Sequence, residues 1–112
     1  MQESRLEKLL EFLKNEPNDA FLKYALATEY LRINQTDKAL EYYEDLLNNY
    51  PDYVGTYYHL GKLYEALDRK QDAITTYETG MKVTKEQRNN HAFSELQAFY
   101  RELTGYDEED DY

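Results

Sequence analysis

The stretch from Tyr57 to Tyr77, YYHLGKLYEALDRKQDAITTY, decides how this chain folds. Leu60 and Tyr64 are four residues apart, so they share one face of a helix. Gly61 stands beside them and removes a side chain where a second helix must come close. Ala73 does the same from the partner helix, and Tyr77 fills the wider gap one turn further along. Asp68 lies between the two halves, where a left-handed residue is needed; Asn and Asp tolerate that conformation best after Gly.

A counterpart begins 34 residues earlier, from Lys23 to Tyr43: KYALATEYLRINQTDKALEYY. The same interval separates Leu26 from Leu60, Tyr30 from Tyr64, Ala39 from Ala73, Tyr43 from Tyr77 and Pro17 from Pro51. A fixed period of this length marks a repeat architecture. The pattern in Tyr57-x-x-Leu60-Gly61-x-x-Tyr64, then Ala73 and Tyr77, resembles the tetratricopeptide repeat. The preceding unit supplies Leu26-Ala27-x-x-Tyr30, Ala39, Tyr43 and Pro51. It departs from the family pattern with Lys23 at the first aromatic position and Ala27 in place of glycine. Phe93-x-x-Leu96-Gln97-x-x-Tyr100 is a third, partial match, displaced by two residues, and the loop before it is expected to be longer. The resemblance covers about residues 20 to 103.

Punctuation along the chain fits six helices near 4–15, 19–33, 37–49, 53–67, 71–83 and 88–103. Ser4-x-x-Glu7 and Thr84-x-x-Gln87 read as capping boxes. Asn34 and Asp68 separate paired helices, Pro17 and Pro51 end helices, and Gly105 closes the last one. The first helix carries an apolar stripe of Leu6, Leu9, Leu10, Phe12 and Leu13. The last carries Phe93, Leu96, Phe99, Tyr100 and Leu103. Both have a polar outer side, which the end units of a repeat array require, so the chain reads as a complete array. The expected fold is all-α: a solenoid of antiparallel helix pairs, which the resemblance makes a right-handed superhelix with capping helices at both ends. The expected domain spans residues 1–105, with an N-terminal capping helix at 4–15, repeats at 20–53 and 54–87, and a C-terminal helix at 88–103. Residues 106–112 form an acidic tail.

Composition narrows the function. The 112 residues hold no cysteine, which excludes a disulfide framework and a cysteine metal site. Few breakers, 4 glycines and 2 prolines, agree with helix. The first residues lack the basic start and apolar run of a signal peptide, and no stretch approaches the roughly 20 apolar residues that span a bilayer. A cytoplasmic protein without membrane contact is expected. The net charge of −10, with five acids together from Asp107 to Asp111, disfavours nucleic acid.

Nothing in the sequence assembles chemistry. His59 and His91 are 32 residues apart, too far for a two-histidine helical metal site. His91 and Glu95 share a face but lack a third ligand. Glu41, Glu44 and Asp45 read as solvated acids on outer faces. There is no nucleophile elbow and no phosphate loop. The expectation is therefore no enzyme, no catalytic residue, no metal and no cofactor.

A binding role is what the resemblance implies. In tetratricopeptide repeats the first helix of each pair lines a concave surface, with ligand-facing residues off the packing stripe. Here those residues are Phe21, Tyr24, Thr28, Leu31 and Arg32 from the first pair, and Tyr58, Lys62, Glu65 and Ala66 from the second. The last helix adds His91, Ser94, Ala98 and Arg101. The competing reading of Tyr24 and Tyr58 is that they only close the gap between neighbouring helix pairs. The Lys and Asn clamp by which some members grip acidic C-termini is not reproduced, since Tyr24 and Thr28 stand in its places. The expected partner is a peptide or helix of another protein, with the chain itself a monomer. The alternative is a structural protein that self-assembles through its helical faces. The tail, Tyr106 to Tyr112, is expected to be disordered by its charge, and its simpler reading is a solubilising end. The competing reading, from its acids and tyrosines, is that it occupies the groove of a neighbouring molecule, or transiently its own, as a weak stand-in for the ligand.

Overall fold

The structure, a computed structural model, describes residues 4–105. These form six α-helices: α1 (Arg5–Asn15), α2 (Ala20–Arg32), α3 (Thr36–Asn49), α4 (Gly55–Ala66), α5 (Lys70–Glu86) and α6 (Asn90–Thr104). No strand occurs among the described residues. The chain is an all-α array of helical repeats, and the expected elements agree with the observed ones to within three residues. The expected tail, 106–112, lies outside the described residues. The chain divides into two compact units, Met1–Thr56 and Tyr57–Tyr112.

In the first unit, α2 packs between α1 and α3. Its inner side is set by Leu26, Ala27 and Tyr30, which meet Ala39, Tyr43 and Leu46 of α3 in the core. Ser4 opens α1 with a full capping box: its Oγ accepts from the Glu7 amide at 3.1 Å, and Glu7 Oε1 accepts from the Ser4 amide at 2.9 Å. Asp19 caps α2 by accepting from the Leu22 amide. The chain leaves α2 through Asn34 at φ 65°, and the Gln35 amide reaches back to the Tyr30 carbonyl at 2.8 Å. That six-to-one bond with a left-handed residue is the Schellman closure. One expectation for this unit is corrected: Phe12 is 56% exposed, so it lies off the packing stripe of α1, where Leu9 alone is buried.

The second unit repeats the device. Asp68 has φ 63°, and the Arg69 amide bonds the Tyr64 carbonyl at 2.8 Å. Gly61 of α4 faces Tyr77 of α5 so closely that an added Cβ would lie 2.7 Å from the ring Cζ. Ala73 and Tyr77 are fully buried, as the close-packing argument required.

Two expectations for the end of α5 are overturned. Thr84 does not cap a helix: it is buried inside α5, and its hydroxyl donates to the Gly80 carbonyl at 2.8 Å. A threonine hydroxyl competes equally well for a carbonyl one turn back, so the Thr-x-x-Gln spacing carried no start signal. The cap of α6 is Asn89, which accepts from the Ala92 amide. Nor is the loop before α6 longer. It holds only residues 87–89, against 50–54 between α3 and α4. The extra length went into the helix, 17 residues for α5 against 14 for α3. A third Schellman closure ends it, with Arg88 at φ 60° and the Asn89 amide on the Thr84 carbonyl at 2.9 Å.

Candidate functional site

In the first unit, Phe21, Tyr24, Thr28 and Arg32 recur on one side of α2 at three- and four-residue steps. With Ala25, Glu29 and Arg5 of α1 they line one cleft of about 300 Å³. Phe21 is 60% exposed at its edge. Tyr24 is half-buried: its ring stands 5.5 Å from that of Tyr53 and 6.5 Å from that of Tyr43. It therefore packs against two rings of its own unit while lining the cleft. Thr28 Oγ1 lies 3.1 Å from the Tyr43 hydroxyl, anchoring that core ring. Leu31 is half-buried and is not among the cleft residues.

Arg32 is not a lone cation. Its Nε donates to Glu29 Oε1 at 3.0 Å and its Nη2 to Oε2, a parallel fork. Arg5 Nε lies 3.5 Å from Glu29 Oε1. Glu29 is only 4% exposed, and the hydrogen bonds from Arg32 hold its carboxyl below the ordinary range despite burial. The Glu29–Arg32 spacing of three was visible in the sequence, but the burial of Glu29 and the approach of Arg5 arise only when α1 docks on α2.

In the second unit, Tyr58, Lys62 and Glu65 of α4 gather near Phe99 of α6. Tyr58 is 41% exposed, with its ring 5.0 Å from Phe99. The Lys62 ammonium sits 4.2 Å above the Phe99 ring, a cation–π contact, and 3.7 Å from Glu65. Glu65 accepts a hydrogen bond from the Tyr77 hydroxyl, and burial together with that carboxylate pushes the phenol's pKa up. The sequence places Phe99 in the apolar stripe of α6, and no spacing there marks it as the platform for two α4 residues. His91 is exposed in the first turn of α6, 3.6 Å from Glu95. Arg101, Ser94, Ala98 and Ala66 are exposed. His59 is half-buried, and burial pushes its pKa down, which fits a neutral packing residue. Among the described residues no group of three or more His, Asp or Glu could hold a metal ion.

Lys23 shows how the first unit absorbs its departure from the family pattern. Its ammonium donates to Asp45 at 2.7 Å and lies 5.4 Å over the Tyr50 ring. Asp45 is thus a partner and not a merely solvated acid. The hydrogen bond raises the lysine's pKa above 10.5 and lowers the aspartate's below 3.8. The contribution of Asp45 to stability is therefore present above the unfolded carboxylate pKa and lost as pH falls through the depressed folded value. That of Lys23 is present below 10.5 and lost as pH rises through its raised value. Lys23→Met should cost about 1 kcal/mol at neutral pH. Melting curves at several pH values should show that difference shrinking as pH falls below 3.8; a difference independent of pH would show that the pair does not contribute through charge.

The residues 3–80 match the family described as anaphase-promoting complex, cyclosome, subunit 3. Two structures of a tetratricopeptide repeat domain protein from Salinibacter ruber are each 49% identical to this chain. The solution structure superposes with a TM-score of 0.76, over 80% of this chain and 90% of that one. The crystal structure gives 0.74, over 79% and 98%. The solution structure of a Bordetella parapertussis protein, 24% identical, covers 95% of this chain and 92% of its own with a TM-score of 0.77, a likeness of fold alone. No curated protein matches the chain. The chain belongs to the tetratricopeptide repeat family. Such repeats are in general protein–protein interaction modules and typically non-enzymatic scaffolds. Among the described residues no helix is long and apolar enough to cross a membrane.

Proposed function

We propose that this chain binds an extended or helical segment of another protein, through the cleft face of α2 in the first unit and through the faces of α4 and α6 around Phe99 in the second. The observation that carries the reading is an exposed aromatic and a cation on one face of each unit: Phe21 and Arg32, which line one cleft, and Tyr58 and Lys62, which both meet the Phe99 ring. Aromatics and arginine are the usual anchors of protein interfaces. Lys62 over Phe99 and Thr28 on Tyr43 hold these faces rigid, which lowers the ordering cost of binding. The chain acts as a monomeric adaptor without cofactor. Selection of a random linear-peptide library on the full chain should yield binders, and Phe21→Ala and Tyr58→Ala should each weaken them about tenfold. Binders indifferent to both substitutions would refute the assignment. Self-assembly is favoured by one feature, the exposed Phe12 on α1. Light scattering from micromolar to millimolar concentration should show a monomer; reversible growth abolished by Phe12→Ser would favour assembly instead.

A further inference from the structure

We propose that the cleft between Arg5 and Arg32 is a carboxylate-recognising subsite, which takes an acidic side chain of a partner segment and lays the neighbouring aromatic side chain on Phe21 and Tyr24. This rests on the reading of the α2 face as a protein-binding surface and adds the chemistry of what it binds.

The first support is charge. The chain carries a net −10, yet at this cleft two guanidinium groups face one carboxylate, an excess of one positive charge. The second is the placement of that carboxylate. Glu29 is 4% exposed, whereas the side chains of Arg5 and Arg32 are 71% and 66% exposed. The acid is at the bottom and the two bases stand at the rim. Arg32 uses Nε and Nη2 on Glu29, which leaves its Nη1 edge to donate outward. Glu29 thereby acts as a positioning residue: it fixes the guanidinium plane before a ligand arrives, so less side-chain entropy is lost on binding. The third is the wall. Phe21, Tyr24 and Ala25 line the same cleft with apolar surface that begins one helical turn from Glu29, so an acid with an aromatic close by in its chain fits better than an acid alone.

A purely structural role for the triad fits less well. The repeat does not need it: 34 residues on, the positions of Glu29 and Arg32 are held by Leu63 and Ala66. The triad is specific to the first unit, as a recognition feature would be.

The probe is a capped synthetic peptide with the sequence of residues 106–112, YDEEDDY, added to the full chain and followed by NMR and by anisotropy of a labelled copy. Shifts are expected at Phe21 and Tyr24 and at the Nε–H signals of Arg5 and Arg32. Arg5→Gln and Arg32→Gln should each weaken the peptide about tenfold, while Lys8→Gln leaves it unchanged. A peptide with Asn and Gln for every acid should lose binding, one with Ala for both tyrosines should bind more weakly, and added salt should weaken the parent peptide. Equal affinity for R5Q, R32Q and wild type, with only the melting temperature lowered, would reduce the triad to a strut between α1 and α2. Equal affinity for the neutral peptide would also overturn the proposal. Neutralising Asp107, Glu108, Glu109, Asp110 and Asp111 in the chain itself tests a rival occupant. If that alone moves the Arg5 and Arg32 signals, the cleft holds the chain's own tail, and a partner segment is the wrong assignment. Library binders that map to α2 but carry no acids would overturn this inference while leaving the proposed function in place.

Discussion

Gly80→Leu is expected to unfold this protein at a temperature roughly 10 °C or more below wild type. A Cβ at position 80 would lie 2.6 Å from the Cβ and 2.7 Å from the Cγ of Tyr57, and 3.0 Å from Leu96 Cδ1. Tyr57 is fully buried, and its Cβ is fixed to the backbone, so only a shift of α4 against α5 relieves the clash. Overpacking of this kind costs about 1–3 kcal/mol, and leucine adds a whole branched side chain, which places it at the upper end. Removing a mid-helix glycine returns about 1 kcal/mol of helix propensity. The net loss is about 2 kcal/mol, and each kcal/mol shifts the melting point by about 4–8 °C in a domain near this size. The first unit shows the compensated form. Its equivalent positions, 34 residues earlier, are Lys23 and Leu46: the small residue became large where the aromatic became a flexible stem. The triple variant Y57K/T79D/G80L, which also supplies the counterpart of Asp45, should therefore melt above G80L alone. A wild-type melting point for G80L would show that α4 and α5 do not meet there.

Tyr77→Ala should destabilise even more, by about 3–5 kcal/mol, the range for emptying a buried aromatic site. Tyr77 is fully buried beneath Gly61, and its hydroxyl donates to Glu65. Alanine leaves a cavity there and removes the donor. Tyr77→Phe separates the two effects, since it keeps the ring and loses only the hydrogen bond. It should cost about 1–2 kcal/mol, within the range for a bond to a charged group. Denaturant melts of the two variants provide the comparison. Equal losses for alanine and phenylalanine would place the whole effect in the hydrogen bond and none in packing.

The repeat was legible because its signals are local and periodic. Leu26, Tyr30, Ala39 and Tyr43 return at one interval, and Asn34 and Asp68 announce their left-handed turns by residue type. The third such turn was hidden, because Arg88 gives no local hydrogen-bonding reason to adopt φ 60°. Thr84 was misread for a related cause: one hydroxyl serves a cap and an interior carbonyl equally well. Gly80 escaped notice because its unit-one counterpart, Leu46, is large, so the period itself concealed it. On the candidate site, Phe21, Tyr24, Thr28 and Arg32 share a helix face and follow from spacing alone. Arg5, Glu29 and Phe99 depend on which helix docks on which, and a pattern along one helix does not carry that. The acids repeat the lesson, since Asp45 and Glu29 look alike in sequence, and neither partner could be named before α2 was packed.

The most direct test of the binding function is amide NMR mapping of the tightest library-selected peptide on the full chain. The expected shifts centre on Phe21, Tyr24, Thr28 and Arg32 in α2 and on Tyr58, Lys62 and Glu65 in α4. Shifts confined to the outer side of α3 or α5, around Glu41, Lys38, Thr75 or Thr79, with these residues unmoved, would contradict it.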